Sequence, residues 1–108
     1  ANKLGLGVAG LVFLGYPLHP PRQAKRLRSA HLPLIAAPML FVQGSRDSFG
    51  TPEELQPILA TCQRAHLHVV EGADHAFKTR RRDTPNLEHA WEKTQDEIAE
   101  WVGRLPSV

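Results

Sequence analysis

Two apolar runs without alternation, Val8–Leu14 and Met39–Gln43, and a shorter mixed stretch, Leu67–Glu71, punctuate the chain. A strand with water on one face alternates apolar and polar positions, whereas a strand covered on both faces does not. The two runs therefore read as buried strands over about 8–14 and 39–43, the first covered on both faces, and the stretch at about 67–71 reads as a third strand. Gly15-Tyr16-Pro17 ends the first and Pro38 precedes the second. The stretches between them are too long for hairpins and suit parallel crossovers.

Those stretches carry helix signals. Thr51-Pro52-Glu53-Glu54 is a strong start: Thr51 caps, Pro52 takes the first helical position, and Glu54 returns a bond to the cap. Leu55, Ile58, Leu59 and Cys62 then share one face. Pro57 removes an interior hydrogen bond and is expected to kink this helix. Residues from about Gln23 to Leu34 read as a short irregular helix after the extended Leu18–Pro21. A longer helix is expected from about Pro85 to Leu105, capped by Thr84, with a stripe of Leu87, Trp91, Thr94, Ile98, Val102 and Leu105. Strand and helix alternate three times, which predicts an α/β fold with three parallel strands and helices on both faces.

Composition narrows the function. The chain has 108 residues, enough for one core, and is 42% hydrophobic, which excludes a disordered chain. A net charge of +2 is too mild to indicate a nucleic-acid partner. The basic run Lys78–Arg82 reads as a solvated loop. No apolar run approaches the roughly 20 residues of a membrane span, so no membrane partner is expected. The lone Cys62 cannot staple the fold, which fits a reducing compartment such as the cytoplasm. Residue 1 is alanine and the only methionine is Met39, so upstream sequence is expected to be missing.

In open parallel sheets, sites lie beyond the carboxyl ends of the strands. Asp47 follows the second run and His75 the third, each after a short gap. If those strands are neighbours about 4.8 Å apart, both loops leave the same rim and the carboxylate reaches the imidazole. A carboxylate that accepts the Nδ1 proton fixes the tautomer and leaves Nε2 to take a proton from a nucleophile. Gly44, Gly50 and Gly72 let these loops turn. Asp74 is a rival carboxylate but reads as a turn former. Another chemistry is a metal site: His66 and His68 share one side of a strand and with His75 would offer three nitrogens. No acidic or cysteine ligand stands beside them, so they read as solvent-facing and no metal or cofactor is expected. His19 and His31 read as loop and surface residues, with Tyr16 and His19 at a pocket mouth as a weaker alternative.

The motifs "GSRD" and "EGADHAF" resemble the carboxyl-terminal half of the α/β-hydrolase fold, in which acid precedes histidine with one helix between. The longer string through "LVFLGYPLHPP", "PMLFVQGSRDSFGTPEEL" and "EGADHAFK" is similar to a group of small bacterial α/β-hydrolase-like proteins. That group is related to the hydrolase-like domains of testis-expressed and chromatin-complex regulatory-subunit proteins. The resemblance implies Asp47 as triad acid and His75 as triad base. It also implies a small-molecule ester or acyl substrate in the complete protein.

The family's nucleophile sits in G-x-S-x-G, and no such motif occurs here. Ser45 is flanked by Gln43 and Asp47 where glycines belong, Ser29, Ser48 and Ser107 fit no better, and Cys62 lies within helix-like sequence. The expectation is the carboxyl-terminal part of a serine hydrolase, inactive alone, with the nucleophile elbow absent. The alternative is a hydrolase-shaped interaction domain without catalysis. Loss of upstream strands would also expose the apolar edge of the first strand to pairing with another copy.

Overall fold

The structure is a computed structural model that describes residues 9–22, 29–78 and 84–105, with side chains for all of these except 84–88. Val8, the segments 23–28 and 79–83, the Leu87 side chain and Ser107 lie outside the described residues. Three strands form one parallel sheet in chain order: β1 (Leu11–Leu14), β2 (Met39–Gly44) and β3 (Ala65–Val70). The register sets Leu11 beside Met39 and Ala65, and Phe13 beside Phe41 and Leu67.

Because side chains alternate across a strand, that register gives each face its own core. On one face Leu11, Phe13, Met39, Phe41, Ala65 and Leu67 pack with Tyr16, Leu18 and Leu32 and with α1 (Pro52–Leu59). Phe13 stacks on Phe41 at 4.7 Å between ring centroids, and Tyr16 meets both rings edge-on. On the other face Leu40, Val42 and Val70 pack against Ala90, Ile98 and Trp101 of α2 (Thr84–Gly103). This is the expected α/β arrangement.

β2 is the central strand, buried at every position, as its unbroken apolar run implies. β1 lies at the edge of the sheet, but it departs from the expectation of burial on both faces: it is shorter than read, with Val12 38% and Leu14 56% exposed. An apolar run reports what a strand tolerates on each face, not which neighbour covers it. Here α2 packs over β2 and β3, leaving the Val12 and Leu14 face of β1 open among the described residues.

α1 starts as its sequence dictates. The Thr51 hydroxyl accepts the Glu54 N–H, and Glu54 Oε1 accepts the Thr51 N–H. Pro57 lies within α1, which ends two residues later at Leu59. Between β1 and β2 the described chain holds a 3-10 turn at Leu32–Leu34, where a longer irregular helix was expected. The pair Leu32-Pro33 fits a single tight turn, since Pro33 supplies no N–H to extend it.

The stripe on α2 runs through Trp91, Thr94, Ile98 and Trp101, and Leu105 follows just beyond the end of the helix. Thr94 is fully buried, Trp101 packs on the sheet, and Val102 is half exposed. The sequence reading placed Val102 in the stripe. A step of three from Ile98 selects Trp101, and its indole buries more area than a valine. Among the described residues no helix is long and apolar enough to cross a membrane.

Candidate active site

Two loops leave the carboxyl ends of β2 and β3 and are sewn together by backbone. Ser45 N–H donates to the Val70 carbonyl, Arg46 N–H to the Ala73 carbonyl, and Gly72 N–H to Ser45 Oγ at 2.7 Å. This close approach requires glycine at position 44, because a Cβ there would collide with the Ala73 carbonyl. Gly44 thus serves packing, while Gly72, at φ 79°, turns the chain as expected.

The stitched loops bring Asp47 and His75 into contact. His75 Nδ1 lies 3.0 Å from Asp47 Oδ2 and 3.1 Å from Oδ1. The Asp47 side chain is fully buried, whereas that of His75 is 36% exposed. Asp47 Oδ1 also accepts the Phe49 N–H at 2.8 Å, which closes a turn and fixes the carboxylate. A carboxylate only accepts, so Nδ1 carries the proton and Nε2 is the basic atom. Among the described residues no side chain bonds Nε2. The arrangement can take a proton at Nε2 and hold the resulting charge on a paired imidazolium. Asp74 takes no part: its Oδ1 accepts the Ala76 and Lys78 N–H groups and closes the loop after His75.

Three neighbours of this pair escaped the sequence reading. Phe49 lies over the His75 ring at 4.2 Å between centroids and 33° between planes. Gly15, at φ 74°, brings the end of β1 against the imidazole, and a Cβ there would sit 3.4 Å from His75 Nδ1. Gln43, fully buried at the end of β2, accepts the Tyr16 N–H and donates to the carbonyls of Tyr16 and Gly50. It thereby ties the loop after β1 to the Asp47 loop. A polar residue ending the apolar run "MLFVQ" was the available signal.

His19 also departs from the expectation of a loop surface residue. It is buried, and its two ring nitrogens meet two acceptors: Nδ1 the Pro20 carbonyl and Nε2 Glu54 Oε2, each at 2.8 Å. Two acceptors require two N–H donors, so His19 is an imidazolium paired with the α1 carboxylate. The Pro20 carbonyl, with Glu54 and Asp47 behind it, raises the His19 pKa above its ordinary value. The Thr51 N–H, with His19, lowers that of Glu54. His19 N–H donates to the Phe49 carbonyl, so this ion pair abuts the Asp47 turn. Tyr16 is buried and His31 exposed, with Tyr16 Oη 3.3 Å from His31 Nε2.

The strand histidines do not gather. His66 is exposed, but His68 is half-buried, and its Nε2–H donates to Thr94 Oγ1 at 2.9 Å while that hydroxyl donates to the Ala90 carbonyl. The expected solvent-facing role therefore fails for His68, because α2 covers its end of the β3 face. Among the described residues no three His, Cys, Asp or Glu side chains are grouped to hold a metal ion. A groove of about 200 Å³ lies away from the pair, between α1 and β3, lined by Gln56, Leu59, Ala60, Ala65 and Leu67.

No solved structure matches the chain. The family model described as "Alpha/beta hydrolase domain" matches residues 2–103, nearly the whole sequence, and agrees with the parallel sheet and its flanking helices. The chain belongs to the alpha/beta hydrolase domain family.

Proposed function

We propose that Asp47 and His75 are the acid and base of a serine hydrolase acting on a small ester or related acyl substrate. The observation that carries this reading is the contact of a buried carboxylate with Nδ1 of a part-exposed imidazole, beyond the carboxyl ends of adjacent parallel strands. The nucleophile comes from polypeptide outside these 108 residues, since the sequence has no G-x-S-x-G. These residues alone are then inactive, because the members of a triad act as a unit.

In the reaction, His75 Nε2 takes the serine proton as the serine oxygen attacks the acyl carbon. Asp47 holds Nδ1–H and stabilises the imidazolium. The imidazolium returns that proton to the departing alcohol, leaving an acyl-serine. Water attacks next, His75 again accepting the proton, and the carboxylic acid leaves as the serine is regenerated. The free, half-buried thiol of Cys62 supports a cytoplasmic setting. Within the family, the "GYPLHPP" string supports kinship with the testis-expressed and chromatin-complex hydrolase-like domains.

The complete polypeptide should be labelled by a fluorophosphonate probe, and His75→Ala should slow labelling by a factor on the order of 10⁶. Labelling that is absent, or indifferent to His75→Ala, rejects the reading. The missing serine motif favours a second reading, a non-catalytic interaction domain of the same shape. It predicts no probe-reactive serine anywhere in the complete polypeptide.

A further inference from the structure

Phe49 is attached to the candidate acid–base pair at three points. Its N–H donates to Asp47 Oδ1, its carbonyl accepts the His19 N–H, and its ring lies 4.2 Å from the His75 ring centroid. The backbone contacts are indifferent to the side chain; the ring contact is not. A 33° tilt at that separation presents the aromatic face to the imidazole, within the roughly 6 Å over which a ring face attracts a cation. We propose that Phe49 is a positioning residue for His75. Its ring fixes the imidazole plane against Asp47 and stabilises the protonated ring, the charge state that proton abstraction creates.

Among the described residues the charges around His75 are few. Asp47 faces it from the loop after β2, and β1 brings only the backbone of Gly15. On the loop of His75 itself, the Asp74 carboxylate is occupied by the Ala76 and Lys78 N–H groups. His19 and Glu54, from the β1 loop and α1, pair with each other beside the Asp47 turn. None of these contacts depends on the Phe49 ring. Phe49→Leu keeps an apolar side chain and both backbone bonds and removes only the aromatic face.

The inference builds on the reading of His75 as the base, yet its test needs neither serine nor turnover, so either can fail alone. The test is an NMR titration of the His75 imidazole in the complete polypeptide. Phe49→Leu should lower its pKa by about half a unit, the shift expected of one part-exposed cation–aromatic contact. Phe49→Trp, with the stronger ring face, should raise it. An unchanged or higher pKa in a folded Phe49→Leu protein overturns the proposal. If Phe49→Leu does not fold, a Phe49→Trp pKa at or below that of the parent overturns it.

Discussion

Gln43 shows how much one buried polar residue organises. Its amide makes three hydrogen bonds, to both backbone groups of Tyr16 and to the Gly50 carbonyl, where β2 ends. An intramolecular bond of this kind contributes about 1 kcal/mol net. Gln43→Leu keeps the volume and loses all three, so urea unfolding should report a loss of about 3 kcal/mol. A loss below about 1 kcal/mol would mean that the two loops hold their positions without it. The same scale shows which residues the sequence exposed. The contact of Asp47 with His75 was legible because each residue follows a strand by a few positions, and strand spacing alone converts that offset into a distance. Phe49 was not, because the overlap of its ring with His75 depends on the path of the turn that Asp47 closes. His19 was misread because nothing around "LHPP" announces a carboxylate on a helix 35 positions further on.

At the scale of elements, α1 was the most legible, since capping is local: Thr51 and Glu54 complete their box within three residues. What escaped was the second use of Glu54. One carboxylate oxygen closes the cap, and the other holds His19, so α1 is anchored to the loop after β1. The pH dependence follows from the two shifts. The pKa of His19 is raised above 6.5, so its stabilisation is complete below 6.5 and is lost as pH rises through the folded value. That of Glu54 is lowered below 4.5, so its share is complete above 4.5 and is lost as pH falls through the folded value. Both are whole between those limits. The stability difference between the parent and His19→Gln, from urea unfolding, should be larger at about pH 5.5 than at about pH 9. A difference independent of pH would mean that His19 is not charged in the fold. The strand histidines teach the complementary lesson: strand period put His66 and His68 on one side, but only the reach of α2 decides that His68 finds Thr94 while His66 stays in water.

Among the described residues the molecule is a three-stranded sheet whose two edges are unequally protected. β3 carries His66 and His68 on the α2 face, one exposed and one bonded to Thr94. β1 presents Val12 and Leu14 on the same face, both exposed, with its ladder bonds running to β2. An apolar edge without a charge invites another strand, because the free backbone groups supply direction and the side chains supply burial. Alternation of strand and helix was enough to predict the layers, since parallel connections admit few alternatives. It could not show that one face of β1 is left open, because cover is a property of neighbours. The 108-residue chain is therefore expected to associate through β1, and sedimentation velocity should show species larger than a monomer growing with concentration. Val12→Lys places a charge in the middle of that strand, where pairing would bury it, and should shift the distribution toward monomer. Because Val12 is already 38% exposed and faces away from the Phe13 and Phe41 core, the substitution should leave the far-ultraviolet circular dichroism unchanged. Equal association by parent and variant would place the contact elsewhere, and a strictly monomeric parent would show that the β1 edge is protected in solution.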